Sequence, residues 1–66
     1  MKNTIKVERA RHDMTQADLA EKISVSRQTI HAIEKGKFVP STVLALKIAR
    51  FFKVKVEEIF TLEEND

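Results

Sequence analysis

The strongest constraint in this chain is a helix-start device that occurs twice, eleven residues apart. Thr15 stands before Gln16-Ala17-Asp18, with Met14 on its N-terminal side and Leu19 four positions after it. A Thr at such a position accepts a hydrogen bond from the amide three residues on, and an acidic side chain at that third position can return one. Met14 and Leu19 flank the cap as a hydrophobic staple. Ser26 repeats the arrangement, with Val25 before it and Ile30 four positions on. Two helix starts this close leave the intervening helix about two turns and require a tight connection at Ser24-Val25.

Further along, Gly36 follows Glu34-Lys35 and stops the next helix, because glycine takes the left-handed conformation past a helix end without strain. Pro40-Ser41 restarts the chain, with Ser41 as N-cap. Five helices are expected, at about 3–12, 16–23, 27–35, 42–52 and 56–61. Leu19, Ala20 and Ile23 share one helical face, as do Ile30 and Ile33, and Leu44, Ala45, Ile48 and Phe52. Ile5, Val7 and Ala10 give the first helix only a thin stripe.

With 66 residues the chain is expected to be one all-α domain, residues 1–66, ending in an acidic, frayed tail at 61–66. A domain of this size buries about 60% of its unfolded surface. That supports one modest core and leaves little room for an enclosed active site. One Gly and one Pro argue against a turn-rich β fold. The absence of Cys excludes disulfides, thiolate metal sites and a Cys nucleophile. No apolar run approaches the roughly 20 residues of a membrane span, and Met1-Lys2-Asn3-Thr4 does not open a signal peptide. A soluble, cytoplasmic protein is expected.

Charge is divided along the chain. All twelve Lys and Arg lie within residues 1–55, which carry a net +7; residues 56–66 carry −5. A basic body fits a polyanionic partner, and equally a solvated mixed surface.

Two short helices joined by a tight turn are the geometry in which the second can enter a DNA major groove. On helix 27–35, Ile30 and Ile33 define the inward side. The opposite side then carries Arg27, Gln28, His31, Ala32 and Lys35, with Thr29 at the margin. Gln can pair with N6 and N7 of adenine, Arg with O6 and N7 of guanine, and a small apolar group can touch a thymine methyl. Gln16 opens the preceding helix, where its amide and free backbone N–H groups can hold a phosphate. Lys35 and Lys37 flank the end of the second helix and are placed for the DNA backbone. Taken singly, Arg27, Lys35 and Lys37 read as solvated cations, Gln28 and His31 as idle surface residues, and Gln16 as a helix-start residue. The DNA reading rests on their joint placement.

The run Met14-Thr15-Gln16-Ala17-Asp18-Leu19-Ala20, then Val25-Ser26-Arg27-Gln28-Thr29-Ile30, Ile33-Glu34-Lys35-Gly36-Lys37 and Pro40-Ser41 resembles the Cro/phage-repressor helix-turn-helix family, the xenobiotic-response-element regulators. The resemblance continues through Leu44, Ile48, Ala49, Phe52, Val54, Ile59 and Phe60, covering roughly residues 4–60. It implies a compact five-helix, repressor-like domain with the helix-turn-helix at the second and third helices. It implies base readout from Arg27 and Gln28, with His31 and Ala32 one turn on, and phosphate contacts from Gln16 and from the loop around Lys37. With Ser26, Thr29 and Lys35 beside them, these are the expected DNA-binding residues. It also implies a buried Arg9–Glu34 salt bridge, where the residues alone leave Arg9 a surface cation. Two positions depart from the family pattern. Ser24 stands where the turn usually carries Gly, and Glu8 where the first helix often carries an aliphatic residue. Glu8 is expected either to be exposed on a rotated first helix or to meet a partner.

The resemblance implies a transcriptional regulator, most simply a repressor, that binds a palindromic operator in double-stranded DNA as a homodimer. Val56, Phe60, Leu62 and Phe51 are candidate dimer contacts, unless Phe60 and Val56 close the core. Residues 60–62 are also candidates for strand pairing with a second copy. No cofactor, metal site or membrane association is expected. An enzyme is disfavoured: His12 and His31 lack a metal-ligand spacing and no Gly-rich phosphate loop exists. The rival readings are an antitoxin-like or protein-contact module with an unidentified partner, and nonspecific DNA coating.

Overall fold

The computed structural model describes residues 1–66. The elements in order are β1 (Lys2–Asn3), α1 (Ile5–Arg11), α2 (Gln16–Lys22), α3 (Arg27–Glu34), α4 (Thr42–Phe51), α5 (Val56–Ile59) and β2 (Phe60–Thr61). The five expected helices are present in the expected order. The fold is mostly helical, with one small antiparallel sheet in which Lys2 pairs with Thr61 and Asn3 with Phe60.

The sheet corrects both ends of the sequence reading. Residue 3 is extended rather than helical because its side chain works as a clamp. Asn3 Nδ2 donates to the Ile33 carbonyl at 2.8 Å, and Asn3 Oδ1 accepts from the Ile5 amide at 3.2 Å. The Thr4 amide donates to the Ile59 carbonyl at 3.0 Å, carrying the pairing one residue further. Residues 60–61 leave the helix expected over 56–61 and pair with this chain's own N-terminal segment. Beyond them, Glu63 Oε1 and Asp66 Oδ2 lie 3.0 and 3.1 Å from the Met1 amino nitrogen.

The helix starts form as their residues dictate. Thr15 Oγ1 accepts from the Asp18 amide and Asp18 Oδ2 accepts from the Thr15 amide, each at 3.0 Å. Ser26 Oγ and Ser41 Oγ accept from the amides of Thr29 and Leu44, both at 3.1 Å. Each such cap contributes on the order of 1 kcal/mol.

The helix stops share one architecture. After α1, α2, α3 and α4 the chain passes through a left-handed residue: Asp13 (φ 54°), Ser24 (φ 60°), Gly36 (φ 75°) and Lys53 (φ 57°). Each stop is closed by a long bond from the next residue. These run from Met14 N to Arg9 O (2.9 Å), Val25 N to Ala20 O (3.0 Å), Lys37 N to Ala32 O (2.9 Å) and Val54 N to Ala49 O (3.0 Å). Such closures satisfy carbonyls that a helix end otherwise leaves open. Met14, Val25 and Val54 then pack against the core. At the end of α3 the equivalent residue is Lys37, which is exposed.

Eleven apolar side chains form the core: Ile5, Leu19, Ala20, Ile23, Ile30, Ile33, Ile48, Ala49, Phe52, Ile59 and Phe60. Ile30 and Ile33 are 0% and 1% exposed. Each contributes about 1.5–3 kcal/mol of burial, and together they fix which side of α3 faces outward. Glu8 is neither exposed nor free. It is buried, and Arg11 Nη1 donates to its Oε1 at 2.9 Å.

Candidate nucleic-acid interface

The turn between α2 and α3 brings Ser26, Arg27 and Gln28 to the surface at the start of α3, with His31 one turn further on the same exposed side. Thr29 and Ala32 are half-buried at the edge of this face. The hydroxyls of Ser26 and Thr29 lie 2.9 Å apart, so these two residues hold each other as well as the helix start. Lys35 is the last residue of the helix turn, and Lys37 follows the Gly36 reversal.

Beside α3 lies an open, wholly polar cleft of about 560 Å³, whose lining includes Lys6, Gln16, Arg27, His31, Glu34 and Lys35. Lys6, Arg27 and Lys35 form no close ion pair and leave the cleft lining with an excess of positive charge. The cleft floor is the Arg9–Glu34 pair. Arg9 Nε and Nη2 donate to the two Glu34 carboxylate oxygens at 2.7 and 3.0 Å, and Nη1 donates to the Met14 carbonyl at 3.0 Å. The side chains are 13% and 9% exposed. Burial raises the Glu34 pKa, but the hydrogen bonds from Arg9 and Gln16, together with the charges of Arg9 and Lys6, outweigh it and hold the carboxyl below the usual glutamate range. The same hydrogen bonding holds the Arg9 guanidinium above its ordinary value.

Gln16 sits differently from the sequence expectation. Its Nε2 donates to Glu34 Oε1 at 3.2 Å and lies 3.5 Å from His31 Nδ1. The amide therefore faces the buried carboxylate, which has lone pairs to spare after two Arg9 bonds. The backbone N–H groups of Gln16 and Ala17, at the open start of α2, have no internal acceptor.

Two short helices of matched caps, a closed turn between them, and a polar outer face on the second are all in place. The helix-turn-helix family model matches residues 5–59. The chain belongs to the helix-turn-helix family.

Relatives described as helix-turn-helix-type transcriptional regulators match the whole of this chain. An uncharacterized helix-turn-helix-type transcriptional regulator of Methanocaldococcus jannaschii is 61% identical, with all of both chains covered. The uncharacterized regulator YgzD of Bacillus subtilis is 52% identical, again over all of both. A third, from Archaeoglobus fulgidus, is 48% identical over all of this chain and 93% of that one. As a helix-turn-helix regulator the chain is a DNA-binding protein. No helix is long and apolar enough to cross a membrane.

The structure brings Arg27, Gln28 and His31 onto one face and gathers Gln16, His31 and Lys35 around one cleft. Lys6 and Asn3 also line that cleft, and sequence reasoning did not single them out. Lys6 lies three residues before Arg9, so the helical repeat of α1 carried the information. For Asn3 no local pattern did, because its role depends on a carbonyl thirty residues away. Phe38, exposed in the loop after Lys37 beside Gln28, Thr29 and Ala32, also went unread.

Proposed function

We propose that this chain is a sequence-specific repressor that inserts α3 into the major groove of double-stranded DNA and acts by occupying a promoter. The observation that carries the reading is the two-sidedness of α3. Ile30 and Ile33 anchor one side in the core, while Arg27, Gln28 and His31 project from the other. Arg27 and Gln28 then read guanine and adenine edges. Lys6, Lys35 and Lys37 contact phosphates, and the free N–H groups of Gln16 and Ala17 hold another. Ser26 and Thr29 border the same contact. The absence of Cys fits the reducing cytoplasm.

The regulator binds a palindromic operator as a homodimer. Phe60 is core, and Val56 and Phe51 pack half-buried against it. Leu62 remains 77% exposed, and α4 and the loop before it expose Val39, Val43 and Leu46 at 59%, 64% and 52%. Val39 and Leu46 also border an apolar groove floored by Pro40, Ala45, Val56 and Phe60. One face thus offers both protruding side chains and a recess, as a self-complementary two-fold contact requires. The same apolar face favours the second reading, a helix-turn-helix module that contacts another protein.

Selection from a random DNA library by purified protein, at about 150 mM salt to suppress counterion-driven nonspecific binding, tests the proposal. An enriched inverted repeat is expected. No enrichment overturns base readout, and an enriched single half-site overturns the palindrome. Sedimentation at micromolar protein, with and without that DNA, reads the oligomer. Dimers that dissociate in Leu46→Glu are expected, and wild-type monomers under both conditions hand the face to a different protein.

A further inference from the structure

Phe38 stands out as a large apolar residue in the loop between α3 and α4 that the core does not use: 48% of it is exposed. Its position is not random with respect to α3. It borders one shallow recess together with Ser26, Gln28, Thr29 and Ala32. Two of these are apolar, Phe38 and Ala32, and the hydroxyl of Thr29 between them and the helix start is engaged by Ser26. Gln28 is the hydrogen-bonding group at the rim. A methyl group next to a donor–acceptor pair is the major-groove edge of an A·T base pair. Adenine offers N7 and N6–H, and its thymine partner presents O4 and the C5-methyl.

From this placement we infer that Phe38 is a specificity-determining residue, closing with Ala32 and Thr29 an apolar notch that receives the C5-methyl of a thymine. Gln28 reads the adenine of that same pair or of its neighbour. Lys37 and Gly36 position the ring. The closed stop of α3, with Lys37 N bonded to Ala32 O at 2.9 Å, turns the chain back so that the loop passes the exposed side of the helix. The inference rests on the proposed base readout by α3 and adds a contact from outside the helix-turn-helix.

The test removes one methyl group at a time. Wild-type protein first selects its site, and each thymine of the half-site is then replaced by deoxyuridine in a binding titration. One replacement is expected to weaken wild-type binding about fourfold, the burial of a single methyl group. In Phe38→Ala that deoxyuridine penalty disappears, while the adenine preference set by Gln28 persists; Phe38→Leu retains part of the penalty. Thermal melts of both variants confirm folding, which the exposure of Phe38 favours. Deoxyuridine replacements that are all silent in the wild type overturn the notch. A penalty that survives unchanged in Phe38→Ala moves the methyl contact away from Phe38. A wild-type selection without a preferred site overturns base readout itself, and is seen before any variant is made.

Discussion

Replacing Arg9 with Ala deletes three hydrogen bonds at once, two to the Glu34 carboxylate and one to the Met14 carbonyl. The methyl group left behind does nothing for a carboxylate that is only 9% exposed. Breaking a buried ion pair from one side costs about 3–5 kcal/mol. Here the lower end applies, because Gln16 Nε2 still donates to Glu34 Oε1 at 3.2 Å. A domain of 66 residues has a total stability of about 3–10 kcal/mol. A loss near 3 kcal/mol thus threatens the fold and lowers the melting temperature by about 12–24 °C. The loss also carries a pH signature. In the wild type the folded Glu34 pKa lies below its unfolded value, so its stabilisation is complete above the usual glutamate range, about pH 4.3, and is lost as pH falls through the folded value. In Arg9→Ala burial dominates and raises the folded pKa above the unfolded one. The deficit is then fully present above that raised value and narrows on acidification. Circular-dichroism melts at one protein concentration, at pH 7.5 and near pH 5, read both effects. A melting temperature within about 4 °C of wild type, or a deficit that does not narrow toward pH 5, refutes the reasoning.

The left-handed helix stops give a graded series. Ser24→Gly and Lys53→Gly relieve about 1–2 kcal/mol of strain against about 0.4–1 kcal/mol of added unfolded-chain entropy. Melting temperatures equal to wild type or a few degrees higher are expected; a clear drop in either counts against the argument. Asp13→Gly should gain less, since Asp tolerates this conformation better. Gly36→Ala should lose about 1 kcal/mol by denaturant titration, although a methyl there meets no atom within 4 Å; an unchanged midpoint contradicts φ +75° as the reason for glycine.

The legibility of the fold followed the range of the forces. Thr15, Ser26, Ser41 and Gly36 act on their own backbone within a few residues, so the helix order and the α2–α3 turn could be read directly. Left-handed backbone at Asp13 and Lys53 could not, because neither is Gly and the conformation is imposed by the residues packed on either side. The pairing of Lys2–Asn3 with Phe60–Thr61 joins segments almost sixty residues apart, and two-residue strands carry no alternation to detect. In the candidate site, Arg27, Gln28 and His31 followed from the opposite face to Ile30 and Ile33. The inward bond of Gln16 did not, since it answers a carboxylate brought close only by tertiary packing. Of the two outcomes open for Glu8 the structure shows the second: it is buried and meets Arg11, three residues on in the same helix.

The central claim is that α3 reads bases, and it is tested most directly by comparing two variants on the site the wild type selects. Gln28→Ala should lose about 1–3 kcal/mol and relax the preference at one symmetry-related base position. Lys37→Ala should weaken binding to every sequence alike and lower the salt slope by about one unit. If Gln28→Ala instead behaves like Lys37→Ala, weakening binding uniformly with the base preference intact, α3 does not read sequence through this residue and the account fails at its centre.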